Sequence, residues 1–439
     1  MMPTTGSWPI TRLSVFAAAL ALAGCASNSQ TEPKLLAVPA IPVEPAATPA
    51  LPQAMPEVQA VQSDQAFVDW ISRFRARASA AGIDAATLSI AFDNVRFIPR
   101  VVELDRSQPE FSRAVWDYLD SAVSAQRVRL GQEKLQQLQP AINDVVTRYG
   151  VPAEVLVAIW GVESNFGANM GDIPTIDALA TLGFEGRREA WAGNQLLAAL
   201  KILQNHDIGR AQMVGSWAGA MGQTQFLPSV YLAYAVDADG DGRRDIWASN
   251  TDVMASTANF LARSGWEANQ PWGLEVSLPT GFDYALADAK LRQPSAAWAN
   301  LGVQTVDRTA LPPMANASVL LPAGARGPAF LVGSNFRTIL RYNNATSYAL
   351  AVGLLAQRIA GGTAVQTPWP RDLPPLSRSQ LRDLQMALNA LGFDCGTADG
   401  VMGPATQQGL RNYQRSVGLP ADGYPSLELL QALTEITRP

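Results

Sequence analysis

The chain has 439 residues, 48% of them hydrophobic and 16% charged, which is material for about three domains and too little charge for a disordered chain. A net charge of −5 and a pI near 5.1 argue against a nucleic-acid partner held by phosphate contacts. With one histidine (His206) and two cysteines (Cys25, Cys395), zinc sites built on several imidazoles and a disulfide scaffold are excluded, so carboxylates lead the catalytic candidates.

Arg12 precedes an apolar run, Leu13 to Ala23, that has signal-peptide length and is too short for a membrane helix. It ends in Leu22-Ala23-Gly24-Cys25, which resembles a bacterial lipobox; an ordinary signal peptide with a chance cysteine is the alternative. The resemblance implies that residues 1–24 are removed and that Cys25 is lipidated. Ala26 in place of an Asp then implies sorting to the periplasmic face of the outer membrane. Residues 25–63 are Pro-rich, with Pro33, Pro39, Pro42, Pro45, Pro49, Pro52 and Pro56. Such a segment favours polyproline II and reaches on the order of 100 Å as a tether.

From 64 to 150 the spacing is helical. Phe67, Trp70, Ile71 and Phe74 fall on one stripe, and Trp116, Leu119 and Val123 on another. Pro152 then opens a helix on which Leu156, Trp160 and Glu163 share a face. A carboxyl set against an aromatic, apolar surface keeps its proton to higher pH and can donate it near neutrality. The alternative leaves Glu163 in solvent at the helix edge. Asp172, Asp177, Glu185 and Glu189 lie nearby, and spacing selects none of them.

Asp237, Asp239, Asp241 and Asp245 occupy positions 1, 3, 5 and 9 of a loop with Gly242 at position 6. Arg243 can offer its backbone carbonyl at position 7. This is the oxygen-ligand spacing of an EF-hand calcium loop. Ala248 stands where the bidentate Glu is expected, and Asp252 further on is the residue that can close the site. A structural Ca²⁺ ion is the expected metal; the alternative is an Asp/Gly-rich surface turn.

Beyond this, Trp272 to Leu278 alternates apolar and polar, and Val319–Leu321 and Ala329–Val332 read as strands. A small β subdomain over about 270–333 is therefore expected inside a helical core spanning 151–362. Residues 363–375 contain four prolines, Pro368, Pro370, Pro374 and Pro375, and read as a linker. The last module, 376–436, begins with the capping box Ser377-x-x-Gln380. Leu381, Leu384, Leu388 and Leu391 follow at helical spacing, then a Pro404 helix and a short Leu427 helix. Spacing alone implies a compact three-helix unit.

Four strings carry resemblances. Leu384-Gln385-x-x-Leu388-x-x-Leu391-Gly392-Phe393, followed by Asp399-Gly-Val-Met-Gly403-Pro-Ala-Thr406, resembles the peptidoglycan-binding domain of cell-wall enzymes. Ile159-Trp-Gly-Val-Glu163-Ser-Asn-Phe-Gly167, the stretch Ser216 to Tyr231, and Asn335 to Tyr348 resemble, in order, motifs of the membrane-bound lytic murein transglycosylase B family. The resemblance covers roughly 64–362.

The resemblance implies a mainly α fold: a lysozyme-like core that cleaves β-1,4 bonds between N-acetylmuramic acid and N-acetylglucosamine. Glu163 would be acid and then base, closing a 1,6-anhydro ring without water, so no partner carboxylate is required. Ser216 would contact the muramoyl N-acetyl group, and Gln225, Tyr342 and Asn343 would line the cleft. Trp160, Trp217 and Phe226 either line it or pack the core. The resemblance also supports a variant calcium loop. No cofactor is required for the chemistry. The implied partners are peptidoglycan glycan strands, the outer membrane through Cys25, and other cell-wall enzymes. Rival readings are a hydrolytic muramidase and a non-catalytic wall-anchoring lipoprotein.

Overall fold

A computed structural model describes residues 57–106 and 113–437. The expected signal peptide, the Cys25 lipidation site and most of the tether lie outside the described residues. Helix begins at Glu57 rather than at residue 64, directly after Pro56, and runs to Ala80.

The Ala153–Ser164 helix occupies the centre, with every residue from Val155 to Gly161 buried. A helix that is apolar on all sides has to be enclosed. Here it is enclosed by the Ala125–Gln137, Ala141–Tyr149, Asn250–Arg263 and Thr346–Ile359 helices. The front helices do not form a separate core. Phe67, Trp70, Ile71 and Phe74 are buried in the same apolar cluster as Leu156, Leu196 and Leu355. Trp70 stacks on Phe74 with ring centroids 5.1 Å apart. The expected boundary at residue 150 is a turn within one body, because the first front stripe packs both on its own region and beyond it: Phe67 meets Phe97 and Phe184 edge-on at 5.7 and 5.4 Å.

The β insertion is a four-stranded antiparallel sheet in the order Gln304–Thr305, Gly273–Ser277, Ala329–Val332, Ser318–Leu320. Val276 pairs with Ala329 on one side and Thr305 on the other. Its outer face covers a second core around Trp298, Met314 and Val319.

The segment expected to be a linker is packed against the body. Trp369 lies between Trp116 and Phe330, with centroid distances of 6.3 and 6.4 Å. The Glu275 carboxylate accepts the backbone N–H groups of Gln366 and Thr367 at 2.8 and 2.7 Å. Proline makes this strap stiff, and its one large aromatic fixes where it lies.

In the C-terminal module the Ser377/Gln380 capping box is formed. Leu384, Leu388, Cys395, Leu410 and Leu433 make its core. Burial pushes the Cys395 thiol up to about 11. The module docks on the β subdomain. Arg411, 4% exposed, donates to the Ala287 carbonyl at 2.6 Å, and Asp422 accepts the Ala325 N–H at 2.8 Å. Among the described residues no single helix is long and apolar enough to cross a membrane.

Candidate active site

Glu163 stands on the last turn of the central helix. The helix stops just beyond it because Asn165, Phe166 and Gly167 take φ values of 49°, 58° and 84°. Left-handed backbone at two consecutive non-glycine residues costs energy and persists only where the surroundings enforce it. The enforcement is visible. The Phe166 ring folds back over Gly161, where a Cβ would come within 2.7 Å of it, and meets Trp160 edge-on at 5.6 Å. Ser164 Oγ accepts the Gly167 N–H at 3.1 Å. Glu163 is thereby fixed in the lining of a cavity of about 230 Å³.

The Ser216–Tyr231 segment forms a second wall and is tied to the first. Trp160 Nε1 donates to Gln223 Oε1 at 2.7 Å, and Gln223 Nε2 donates to the Trp247 carbonyl at 2.8 Å. Gln225, at φ 51°, lines the cavity and donates to the carbonyls of Met170 and Gly222, both at 2.9 Å. Ser216 does not line the cavity. It lies 9% exposed behind Ala218 and Ala220, and its hydroxyl accepts the Ala220 N–H at 3.1 Å. Trp160 and Phe226 are core residues, 3% and 2% exposed. Trp217 packs on the small cluster around Val101 and Leu182.

The third stretch supplies Tyr342, Asn343 and Tyr348. Tyr342 donates to the Thr224 carbonyl at 2.6 Å and stacks on Tyr348, centroids 6.4 Å apart. Tyr348 donates its hydroxyl to Glu163 Oε1 at 2.5 Å. The sequence assigned Tyr348 no role; its only signal was membership of the third motif. Asn343 Oδ1 is buried and has no hydrogen-bond partner among the described residues. A buried polar atom without a partner is costly.

Glu163 is the only carboxylate among the described residues that line the cavity. Burial pushes its pKa up to about 7, opposed by the Tyr348 hydrogen bond, which favours the ionised form. The neighbouring carboxylates are elsewhere: Asp177 pairs with Arg210, Glu185 with Arg106, and Asp172 and Glu189 are exposed. A cleft with one titrating carboxyl can give a proton and take one back. It lacks the facing pair that ordinary glycosidases use.

In the acidic loop the structure brings together Asp237, Asp239 and Asp252, each with a carboxylate oxygen within 4.8 Å of the others. Asp252 is 0% exposed and accepts the N–H groups of Ala238 and Asp245, both at 2.7 Å. Asp241 and Asp245 do not join them. Asp241 is held by the backbone and guanidinium of Arg243, and Asp245 caps the N–H groups of Trp247 and Ala248.

Comparison with known proteins follows the same division. Residues 66–357 match the transglycosylase SLT domain, and residues 377–433 match a peptidoglycan binding domain. SltB3 from Pseudomonas aeruginosa is 54% identical with a TM-score of 0.82, covering 84% of this chain and 99% of that one. It has been solved with NAG-anhNAM-pentapeptide and with NAG-NAM-pentapeptide. Membrane-bound lytic murein transglycosylase B of Escherichia coli (strain K12) is 35% identical over 253 residues, 55% of this chain and 66% of that enzyme's length. The Escherichia coli lytic transglycosylase Slt35, solved in complex with calcium, is 30% identical with a TM-score of 0.56, covering 67% of this chain and 92% of that one.

Proposed function

The chain belongs to the transglycosylase SLT domain family, and we propose on that premise that it is a lytic transglycosylase of peptidoglycan in which Glu163 serves as both acid and base. The observation that carries this is the half-buried Glu163, the only carboxyl among the described residues that line the cavity, held by Tyr348, with desolvation pushing its pKa up to about 7. Protonated Glu163 donates to the oxygen of the β-1,4 bond, and the C1–O4 bond of the muramoyl residue breaks. The sugar's own N-acetyl carbonyl stabilises the cationic C1. Ionised Glu163 then takes the proton of the C6 hydroxyl, and O6 bonds to C1. One bond breaks, one forms, the proton returns to Glu163, and water is not consumed. The buried, unpartnered Asn343 Oδ1 and the cavity-facing Gln225 and Tyr342 position the sugars. Ser216 acts from behind, by shaping the Ala218–Ala220 wall.

Mass analysis of digested sacculi tests the reading. Anhydromuramoyl ends are expected, and free reducing ends would assign hydrolysis instead. Glu163→Gln should lower the rate by about 10²–10⁴; a near-normal rate with an intact fold would place the catalysis elsewhere.

A structural calcium ion would be held by Asp237, Asp239 and Asp252, which fit it in donor type and convergence. Slt35 solved with calcium supports this. The ion would supply cross-linking of the loop and takes no part in the chemistry. The protein is membrane-associated through lipid on Cys25 at the periplasmic face of the outer membrane, with other cell-wall enzymes as neighbours. Support comes from the lipobox-like Leu22–Cys25 string and from the name of the membrane-bound Escherichia coli relative.

A further inference from the structure

The wall of the cleft built from the Val115–Ala122 and Ala125–Gln137 helices carries a charge that glycan chemistry does not need. Arg127 lines the cavity together with Tyr118 and Ser121. Its Nη1 donates to the Ser121 carbonyl at 3.1 Å, and no carboxylate among the described residues pairs with it. Burial holds its guanidinium below the usual value. Arg113, exposed, lines the same cavity and is likewise without an ion-pair partner among the described residues. Three other half-buried arginines, Arg188, Arg210 and Arg244, pair with Asp105, Asp177 and Asp207, and Arg337 and Arg358, which pair with no carboxylate among the described residues, do not line the cavity.

A half-buried cation whose one acceptor among the described residues is a neutral carbonyl has its charge left uncompensated until an anion arrives. The sugar ring, its hydroxyls and its N-acetyl groups are neutral. The anionic part of peptidoglycan is the arm on the muramoyl lactyl group, which ends in carboxylates, and a guanidinium fork is the side chain best suited to grip a carboxylate.

We propose that Arg127, with Arg113 beside it, is a specificity-determining receptor for a carboxylate of the stem peptide, so that the cleft favours peptide-bearing strands. This rests on the transglycosylase reading. A strand stripped of its peptide by an amidase keeps a free lactyl carboxylate, so the same chemistry has a second source, which the test separates.

The experiment measures kcat/KM of the full chain on peptide-bearing glycan strands and on amidase-stripped strands, for wild type, Arg127→Gln and Arg127→Lys. The expected result is a fall of about tenfold in the ratio of the two values for Arg127→Gln, the size of one charged hydrogen bond. Arg127→Lys should recover part of that fall, because it restores charge without the fork, and it keeps the test valid if the Gln variant folds poorly. An unchanged ratio overturns the proposal. A ratio that rises assigns Arg127 to the lactyl carboxylate and also overturns it. A wild type that turns over neither polymer would instead overturn the transglycosylase reading, and the subsite with it.

Discussion

Glu163 must be protonated to start the reaction and ionised to finish it, so a pKa near 7 suits both halves at neutral pH. The sign of its pH dependence follows. The acid form is lost as pH rises through about 7, so kcat/KM should fall on the alkaline side. Tyr348 donates to the carboxylate and stabilises the ionised form. Tyr348→Phe should therefore raise the Glu163 pKa and move the alkaline limb to higher pH, with the fold unchanged. A limb that stays in place in Tyr348→Phe would show that some other group sets it. Helix spacing could not decide between a buried and a solvated Glu163, because Val162 and Ser164 flank it and its stripe ends there. What decides is the ring pair Tyr342–Tyr348, brought from nearly 200 residues away along the chain. No local pattern carries that information.

The acidic loop separates what spacing encodes from what packing adds. The 1, 3, 5, 9 pattern correctly marked an oxygen-rich turn. It did not foresee that Arg243 captures Asp241, nor that Asp245 spends its carboxylate on the next two N–H groups. Asp252 was legible as the replacement for the missing Glu only as a carboxylate further along the chain; the structure sets it in the first turn of the following helix. Calcium should raise the thermal midpoint of the wild type, by about 2.7 kcal/mol of stability at a hundredfold excess over Kd. Asp239→Ala should abolish the calcium-dependent part of that shift. If millimolar calcium leaves the wild-type midpoint unmoved, the loop holds itself together through its own backbone hydrogen bonds. The strands at 273–277, 318–320 and 329–332 were legible from alternation and from runs of β-branched and aromatic residues. The packed strap at 363–375 was not, since proline spacing shows stiffness and says nothing about where a stiff segment rests.

At the scale of the whole molecule, that strap changes where the chain can be cut. Ending it after Gly362 removes Trp369 from between Trp116 and Phe330 and frees Glu275 of both its N–H partners. That truncation should lose about 3 kcal/mol or more, the usual cost of deleting a packed tryptophan. Ending the chain after Pro375 keeps the strap and should cost much less. Both truncations should weaken pull-down on insoluble sacculi, because both lack the residues matching the peptidoglycan binding domain. Equal thermal midpoints for the two would mean that the strap contributes nothing.

Arg411 and Asp422 carry a further consequence for how two attachment sites work on one polymer. A module on a loose string samples many distances and gains avidity over a broad range of spacings. This module is seated, with a buried guanidinium on the Ala287 carbonyl and an aspartate on the Ala325 N–H. The gap between its surface and Glu163 is therefore a property of the fold and not of a linker. An enzyme so built would act as a caliper of set opening, gripping strongly only where the wall presents two points at that interval, and on glycans shorter than the interval the second jaw would close on nothing.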